Sequence, residues 1–285
     1  MIIFRVLYDL GGSNKSLGAR FGPMAIERAF SRWNWRGTED GILHPELSLS
    51  WISYIHSLER YRQRTESVFT KRKRLDPFIT LSGDNSCSFE TVRAVRDQIG
   101  HIALAVLDAH PDACVPGHDP HADWVWRLWN EGIVMPEKTI FFGIRDPEKD
   151  EAAYIKEKRA TVIGPDEIYR SYAAGINSVA PYTALWQLIS AHALVIVVDI
   201  DVLDPAYAPG TGVLRAGGLG VRHVLYIIQQ LSALPFAVKI GEICEVIPEE
   251  GNKIRPKFDQ RPDPCGLTVL AADAIFREMI RSISA

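Results

Sequence analysis

A chain of 285 residues, 47% of them hydrophobic, is long enough to bury a large core. Its formal net charge of -3 gives no global attraction to nucleic acid or to an anionic membrane, so neither is an expected partner. Cys87, Cys114, Cys244 and Cys265 stand far apart with no CxxC pair, which argues against a disulfide scaffold or a thiolate zinc site and fits a reducing cytosol.

The opening MIIFRVLYDL is too short an apolar stretch for a secretory signal, and the longest later run, ALVIVV at 193–198, is far below membrane-spanning length. A cytoplasmic protein with no membrane partner is expected. From Arg60 to Arg74 the segment RYRQRTESVFTKRKR carries seven basic residues against one acid. Two readings stand: a solvated helix face with its loop, or a docking patch for an acidic peptide or polyanion.

Six apolar runs of strand character follow: FITL at 78–81, HIALAVLD at 101–108, KTIFFGI at 138–144, ATVI at 160–163, ALVIVVDI at 193–200 and FAVKIGEICEV at 236–246. Their apolar character is continuous rather than alternating, as in parallel strands covered on both faces. Segments of helical pattern lie between them, among them FETVRAVRDQ after the first and VRHVLYIIQQLSAL before the last. With no internal repeat or low-complexity linker, the chain reads as one doubly wound α/β domain over 1–285.

Ligands of open parallel sheets sit at the carboxyl ends of strands. Three such ends here carry metal-binding side chains. IALAVL leads into Asp108, His110 and Asp112; LVIVV leads into Asp199 and Asp201; FITLSG leads into Asp84 and Asn85. Strand-like i, i+2 spacing predicts that Asp108, His110 and Asp112 point the same way, and likewise Asp199 and Asp201. A lone Asp after a strand is usually a cap or a loop residue, but a DxHxD and a DxD at two buried strand ends are hard to explain as caps. So many carboxylates repel unless cations neutralise them, and an oxygen-rich set with an imidazole suits Mn²⁺ or Mg²⁺ better than structural zinc.

The motifs LDAHPD and VVDIDVLDPAYAPGTG resemble the two strongest signatures of the ureohydrolase family, which includes arginases and agmatinases. GARFGPMAIERAF, FFGIRD, EVIPEEG and GLTVLAADAIF resemble its other conserved segments, so the resemblance covers nearly the whole chain. It implies a three-layer α/β/α domain with a mainly parallel central sheet, a homo-oligomer, and two Mn²⁺ ions that activate one water as the nucleophile. Asp108 and Asp199 would bridge the ions, His110 and Asp201 would complete one position, and Asp112 with Asn85 the other. His121 would shuttle protons, and Glu245 would accept hydrogen bonds from a guanidinium, with Glu242 the competing choice on charge alone. The catalytic candidates are therefore His121, Glu245 and Asp112.

Two departures stand out. The family's Gly-Gly-Asp-His-Ser is Ser82-Gly83-Asp84-Asn85-Ser86 here. A neutral amide oxygen at Asn85 is a poorer donor than imidazole, which predicts a weakened first metal position, with His118 a candidate substitute. The loop ACVPGHDP at 113–120 is shorter than the one by which arginases grip free arginine and lacks its Ser, Thr and Asn. The substrate is then a guanidino small molecule, such as arginine or agmatine, or an arginine side chain within a peptide. Trp124, Trp126 and Trp129 read as core at helical spacing rather than as a substrate cage. The alternative is a noncatalytic or single-metal member of the family.

Overall fold

Strands buried from both sides explain the continuous apolar runs. The structure, a computed structural model, describes residues 1–11, 15–32, 49–72, 76–115, 120–145, 147–173, 191–255, 263 and 265–284. Its strands are β1 (Ile2–Val6), β2 (Ser50–Trp51), β3 (Phe78–Ser82), β4 (Ile102–Leu107), β5 (Thr139–Phe142), β6 (Thr161–Ile163), β7 (Ala193–Asp199) and β8 (Val238–Cys244). Its helices are α1 (Gly22–Arg32), α2 (Leu58–Arg72), α3 (Ser86–Ile99), α4 (Trp124–Asn130), α5 (Lys149–Lys158), α6 (Pro165–Ala173), α7 (Val221–Ser232), α8 (Glu249–Asn252) and α9 (Leu267–Ser284). All eight strands form one sheet in the order β2-β1-β3-β8-β7-β4-β5-β6, and every pairing is parallel.

Two apolar layers flank the sheet, because successive side chains of each strand point to opposite faces. Ile3, Ile79, Leu81, Ala105, Ile196 and Val198 pack on one side with residues from α1, α6, α7 and α9. Ile2, Phe4, Phe78, Leu104, Val106 and Val197 pack on the other with residues from α2, α3, α4 and α5. The three-layer α/β/α architecture expected from the sequence is thus observed, with a sheet that is wholly rather than mainly parallel among the described residues. The six expected strands match β3 to β8 to within two residues at each end. No strand is expected before residue 78, yet IIFRV forms β1, and β1 holds β2 at the sheet edge. Within β1, Ile2, Ile3, Phe4 and Val6 are all buried, the same two-sided apolar signature as in the later strands.

The basic segment forms α2, which buries Tyr61 and Thr65, one turn apart, and leaves Arg60, Arg62 and Arg64 exposed. Tyr61 Oη shares hydrogen bonds with Thr80 of β3 (2.6 Å) and Thr91 of α3 (2.8 Å), which pins the helix to the sheet. This is the arrangement of a solvated helix face. Lys73 and Arg74, at the end of the run, lie outside the described residues.

One close crossing sets the floor of the site. The β3–α3 turn passes under the segment after β1, where Asp84 N donates to Tyr8 O (2.9 Å) and Gly11 N donates to Asp84 Oδ2 (2.8 Å). A Cβ on Gly83 would lie 1.8 Å from Tyr8 O, an overlap with backbone that no rotamer change relieves. Gly83 O also accepts from Glu245 N at 2.7 Å. We predict that Gly83→Ala lowers stability by about 2 kcal/mol or more and reduces metal uptake with it. Thermal melts and metal titration test this, and an unchanged melting temperature would refute it.

Candidate metal centre

The carboxyl ends of four neighbouring strands, β3, β8, β7 and β4, supply the site. Register brings them level: Leu107 pairs with Val198 and Asp199 with Cys244, so the residues that follow β4 and β7 stand side by side. Asp108, Asp112, Asp199 and Asp201 are all buried. Asp108, His110 and Asp201 each offer one ligand atom, and these lie within 4.8 Å of one another.

The convergence is not achieved by the i, i+2 alternation expected from the sequence. β4 ends at Leu107, and the chain then turns, with His110 N donating to Asp108 Oδ1 at 2.7 Å. After β7 the residues Ile200–Val202 form a 3₁₀ turn, with Asp201 N donating to Asp199 Oδ1 at 2.8 Å. Carboxylates binding their own backbone two residues on give turns rather than further strand. Asp112 and Glu245 lie in the left-handed region, at φ 49° and 59°, a conformation that non-glycine residues rarely adopt and that concentrates at functional sites.

Burial and mutual repulsion set the protonation of this cluster. Burial, then the charge of Asp201, pushes Asp108 up to about 7. Burial, reinforced by neighbouring carboxylates, holds Asp112 and Asp199 well above the usual carboxylate range. Burial alone would lower His110, but Asp201 and Asp108 override it and raise the imidazole to about 11. The converse holds for Asp201, which His110 at 3.1 Å draws down against its burial. A buried site with an excess of carboxylates and a proton-laden imidazole is one that a cation would neutralise, displacing protons. His110 Nε2 is buried without a hydrogen-bond partner among the described residues, so only its Nδ1 faces the carboxylates. The residues therefore fit a hard divalent cation at Asp108, His110 and Asp201.

Asn85 stands opposite. Its Nδ2 donates toward Asp112 Oδ2 (2.7 Å), Asp199 Oδ2 (3.1 Å) and Asp108 Oδ2 (3.2 Å). Its Oδ1 faces away and accepts from Ser88 Oγ (2.9 Å) and Cys244 Sγ (3.0 Å). The amide end expected to meet metal is thus turned from the cluster, because carboxylates accept hydrogen bonds and repel an oxygen. His118, the candidate substitute, lies outside the described residues.

A cavity of about 680 Å³, its mouth included, opens onto the cluster and is lined by His110, Asp112, His121, Asp199, Asp201 and Glu245. Glu245 Oε1 accepts from Asn85 N (2.9 Å) and Ser16 Oγ (3.0 Å), while Oε2 is buried without a hydrogen-bond partner among the described residues. Burial, then the charge of Asp84, raises its carboxyl to about 8. Glu242, the competing choice, lies below the cavity in β8, accepting from Ser82 Oγ (2.7 Å) and Ser88 Oγ (3.2 Å), and burial lifts it to about 7.

Trp124 and Trp129 are buried core residues, as the helical spacing predicts, and Trp126 is half-buried. Trp124 does more than pack: its Nε1 donates to Asp112 Oδ2 at 2.9 Å. Glu148 and Glu151 also line the cavity, though nothing in the sequence singles them out beyond a capping box at the start of α5.

The arginase family model matches residues 1–280, almost the whole chain, on which this site is built. The chain belongs to the arginase family. As an arginase-family protein it is a binuclear metal-dependent ureohydrolase acting on linear amidines. It is 26% identical over 266 residues to the proclavaminate amidinohydrolase of Streptomyces clavuligerus, covering 88% of this chain and 82% of that one. It is 25% identical over 293 residues to an agmatinase of Neisseria meningitidis, covering 98% and 85%. In fold it is similar to the formimidoylglutamase of Bacillus subtilis, with a TM-score of 0.81 at 22% identity, covering 99% of this chain and 86% of that one.

Glu242 provides a pH test that is independent of catalysis. Its folded value of about 7 lies above the ordinary 4.5, so its contribution to stability is full below pH 4.5 and is lost as pH rises through 7. We predict that Glu242→Gln flattens the fall in stability of the metal-free protein between pH 5 and 8. Parallel wild-type and variant melting curves across that range would refute it.

Proposed function

We propose that this chain hydrolyses the C–N bond of a guanidino group, releasing urea and an amine. The observation that carries this reading is Glu245, whose uncommitted, buried Oε2 belongs to the lining of a cavity that Asp112, Asp199 and Asp201 also line. A planar cation offering parallel N–H donors is the natural complement of such a carboxylate. Bound Mn²⁺ ions would supply an acidified water as nucleophile at neutral pH and offset the carboxylate charge. Asp108, His110, Asp199 and Asp201, with Asp112, are the residues that would hold them, and Asn85 faces the same cluster.

Glu245 would take the guanidinium and fix its central carbon against the carboxylate cluster. It is held in place by Ser16 Oγ and Asn85 N, so its free oxygen keeps one direction. His121, which lines the same cavity and is anchored by its backbone N–H to Gly11 O (3.3 Å), would deliver a proton to the departing amine. Trp124 would keep the Asp112 carboxylate oriented.

The substrate tail belongs to the same proposal: free arginine, agmatine or an arginine side chain in a peptide. Arg60, Arg62 and Arg64 of α2 are exposed and do not line the cavity, so an acidic peptide leader held there would have to bridge from that face. The free thiols of Cys87, Cys114, Cys244 and Cys265 support a reducing cytoplasm as its compartment, and the family likeness supports a homo-oligomer.

Urea release from the Mn²⁺-loaded protein, run in parallel on arginine, agmatine and an arginyl peptide, tests this. Turnover of one substrate is expected, with Glu245→Gln lowering kcat/KM by about 10²–10³ and His121→Asn lowering kcat by about 10² or more. No urea from any of the three would refute hydrolysis of arginine, agmatine and arginyl peptides and turn the reading toward another guanidino or formimino substrate or a noncatalytic member of the family.

A further inference from the structure

We propose that the Asn85 side-chain amide is a reversible stand-in for the cation among Asp108, Asp112 and Asp199, so that the Asp108–His110–Asp201 position loads first and the second ion enters only when the amide turns over. The proposal rests on the metal-dependent reading above and concerns the order in which this chain takes up its ions.

Three carboxylate oxygens from the ends of two strands converge on one point, and the Asn85 NH₂ occupies it at 2.7, 3.1 and 3.2 Å. Those are hydrogen-bond distances, and an amide nitrogen has two hydrogens to share among the three acceptors. Positive hydrogen charge there does locally what an ion does, at the one corner where the family's imidazole is replaced.

The other end of the amide shows why the state is reversible. Asn85 Oδ1 meets a hydroxyl, Ser88 Oγ at 2.9 Å, and a thiol, Cys244 Sγ at 3.0 Å. Both groups can donate or accept. Ser88 Oγ also lies 3.2 Å from Glu242 Oε1, and Cys244 Sγ lies 3.6 Å from Val198 O, so each hydrogen has a second acceptor waiting. When the amide turns, Ser88 and Cys244 redirect their hydrogens to Glu242 and Val198 and accept from the Asn85 NH₂. Oδ1 then faces the cluster, an orientation that carboxylates oppose and a cation rewards. With a cation in the cluster, the turned orientation strands no buried polar group, as the unturned one strands none without it. Among the described residues no side-chain amide stands in the Asp108–His110–Asp201 corner, whose imidazole is itself a ligand group, and its ligand atoms already lie within 4.8 Å of one another.

Titration of the metal-free protein with Mn²⁺, followed by calorimetry and electron paramagnetic resonance, reads the order of loading without reference to turnover. Wild type should bind in two steps separated by about ten-fold or more in affinity. The first step should give an isolated-ion spectrum, and exchange coupling should appear only with the second. Asn85→His should merge the steps and give coupling from the first additions. Because that variant also changes the ligand, Asn85→Asp supplies a separate reading: without the N–H donors, the metal-free protein should melt below wild type at pH 8 and gain more than wild type from Mn²⁺. Simultaneous loading and coupling in wild type would overturn the proposal, and so would a single ion at saturation or an unchanged metal-free melting temperature in Asn85→Asp. Failure of both wild type and Asn85→His to bind any Mn²⁺ would instead overturn the metal-dependent reading on which it rests.

Discussion

Buried negative charge at the carboxyl ends of four adjacent parallel strands is the constraint around which this protein is organised. A carboxylate removed from water is unfavourable unless it is paired, hydrogen-bonded, protonated or metal-bound. Every device seen at the site answers that problem: the His110 imidazole beside Asp201, the backbone N–H groups of His110 and Asp201 given to Asp108 and Asp199, the Trp124 indole given to Asp112, and the Asn85 amide given to three carboxylates at once. Raised carboxyls at Asp108, Asp112 and Asp199 are the remainder that these contacts do not neutralise.

The scaffold makes such a concentration of charge tolerable. An all-parallel sheet with apolar layers on both faces is rigid, and its strand ends are fixed by register rather than by the side chains that follow them. The turns after β4 and β7 can then be held by the same aspartates that form the site. Gly83 illustrates the precision required: its backbone is wedged between Tyr8 O and Glu245 N, so that one missing Cβ joins β1, β3 and β8 at the level of the cluster. Left-handed Asp112 and Glu245 show backbone strain located where side chains must be aimed into the cavity.

The family's chemistry and this chain's departures from it meet at Asn85. Around it Asp108, Asp112 and Asp199 meet its amide, Asp108, His110 and Asp201 group together, and His121 and Glu245 line the same cavity. A neutral amide in place of an imidazole changes the balance of the site without dismantling it, since its two ends have opposite polarity and the groups behind it are indifferent to which end they meet.

Sequence by itself determined the strands β3 to β8 and the family, and singled out the aspartates and histidine proposed to hold metal, because a two-sided apolar run and a DxHxD or DxD at its end are local signals. It left β1 unassigned, since an apolar run at the start of a chain is read first as a leader and pairs only with strands far along the chain. The expectation that i, i+2 spacing alone aims the aspartates was superseded by turns built from their own side chains. The motif already favours Glu245 over Glu242, and the tertiary structure supplies the physical reason: Glu242 lies within β8, hydrogen-bonded to Ser82 and Ser88, whereas Glu245, just past the strand, lines the cavity. Only the tertiary structure oriented Asn85, because its partners Asp199 and Cys244 lie 114 and 159 residues away and an amide's direction is decided by which of its neighbours accept and which donate.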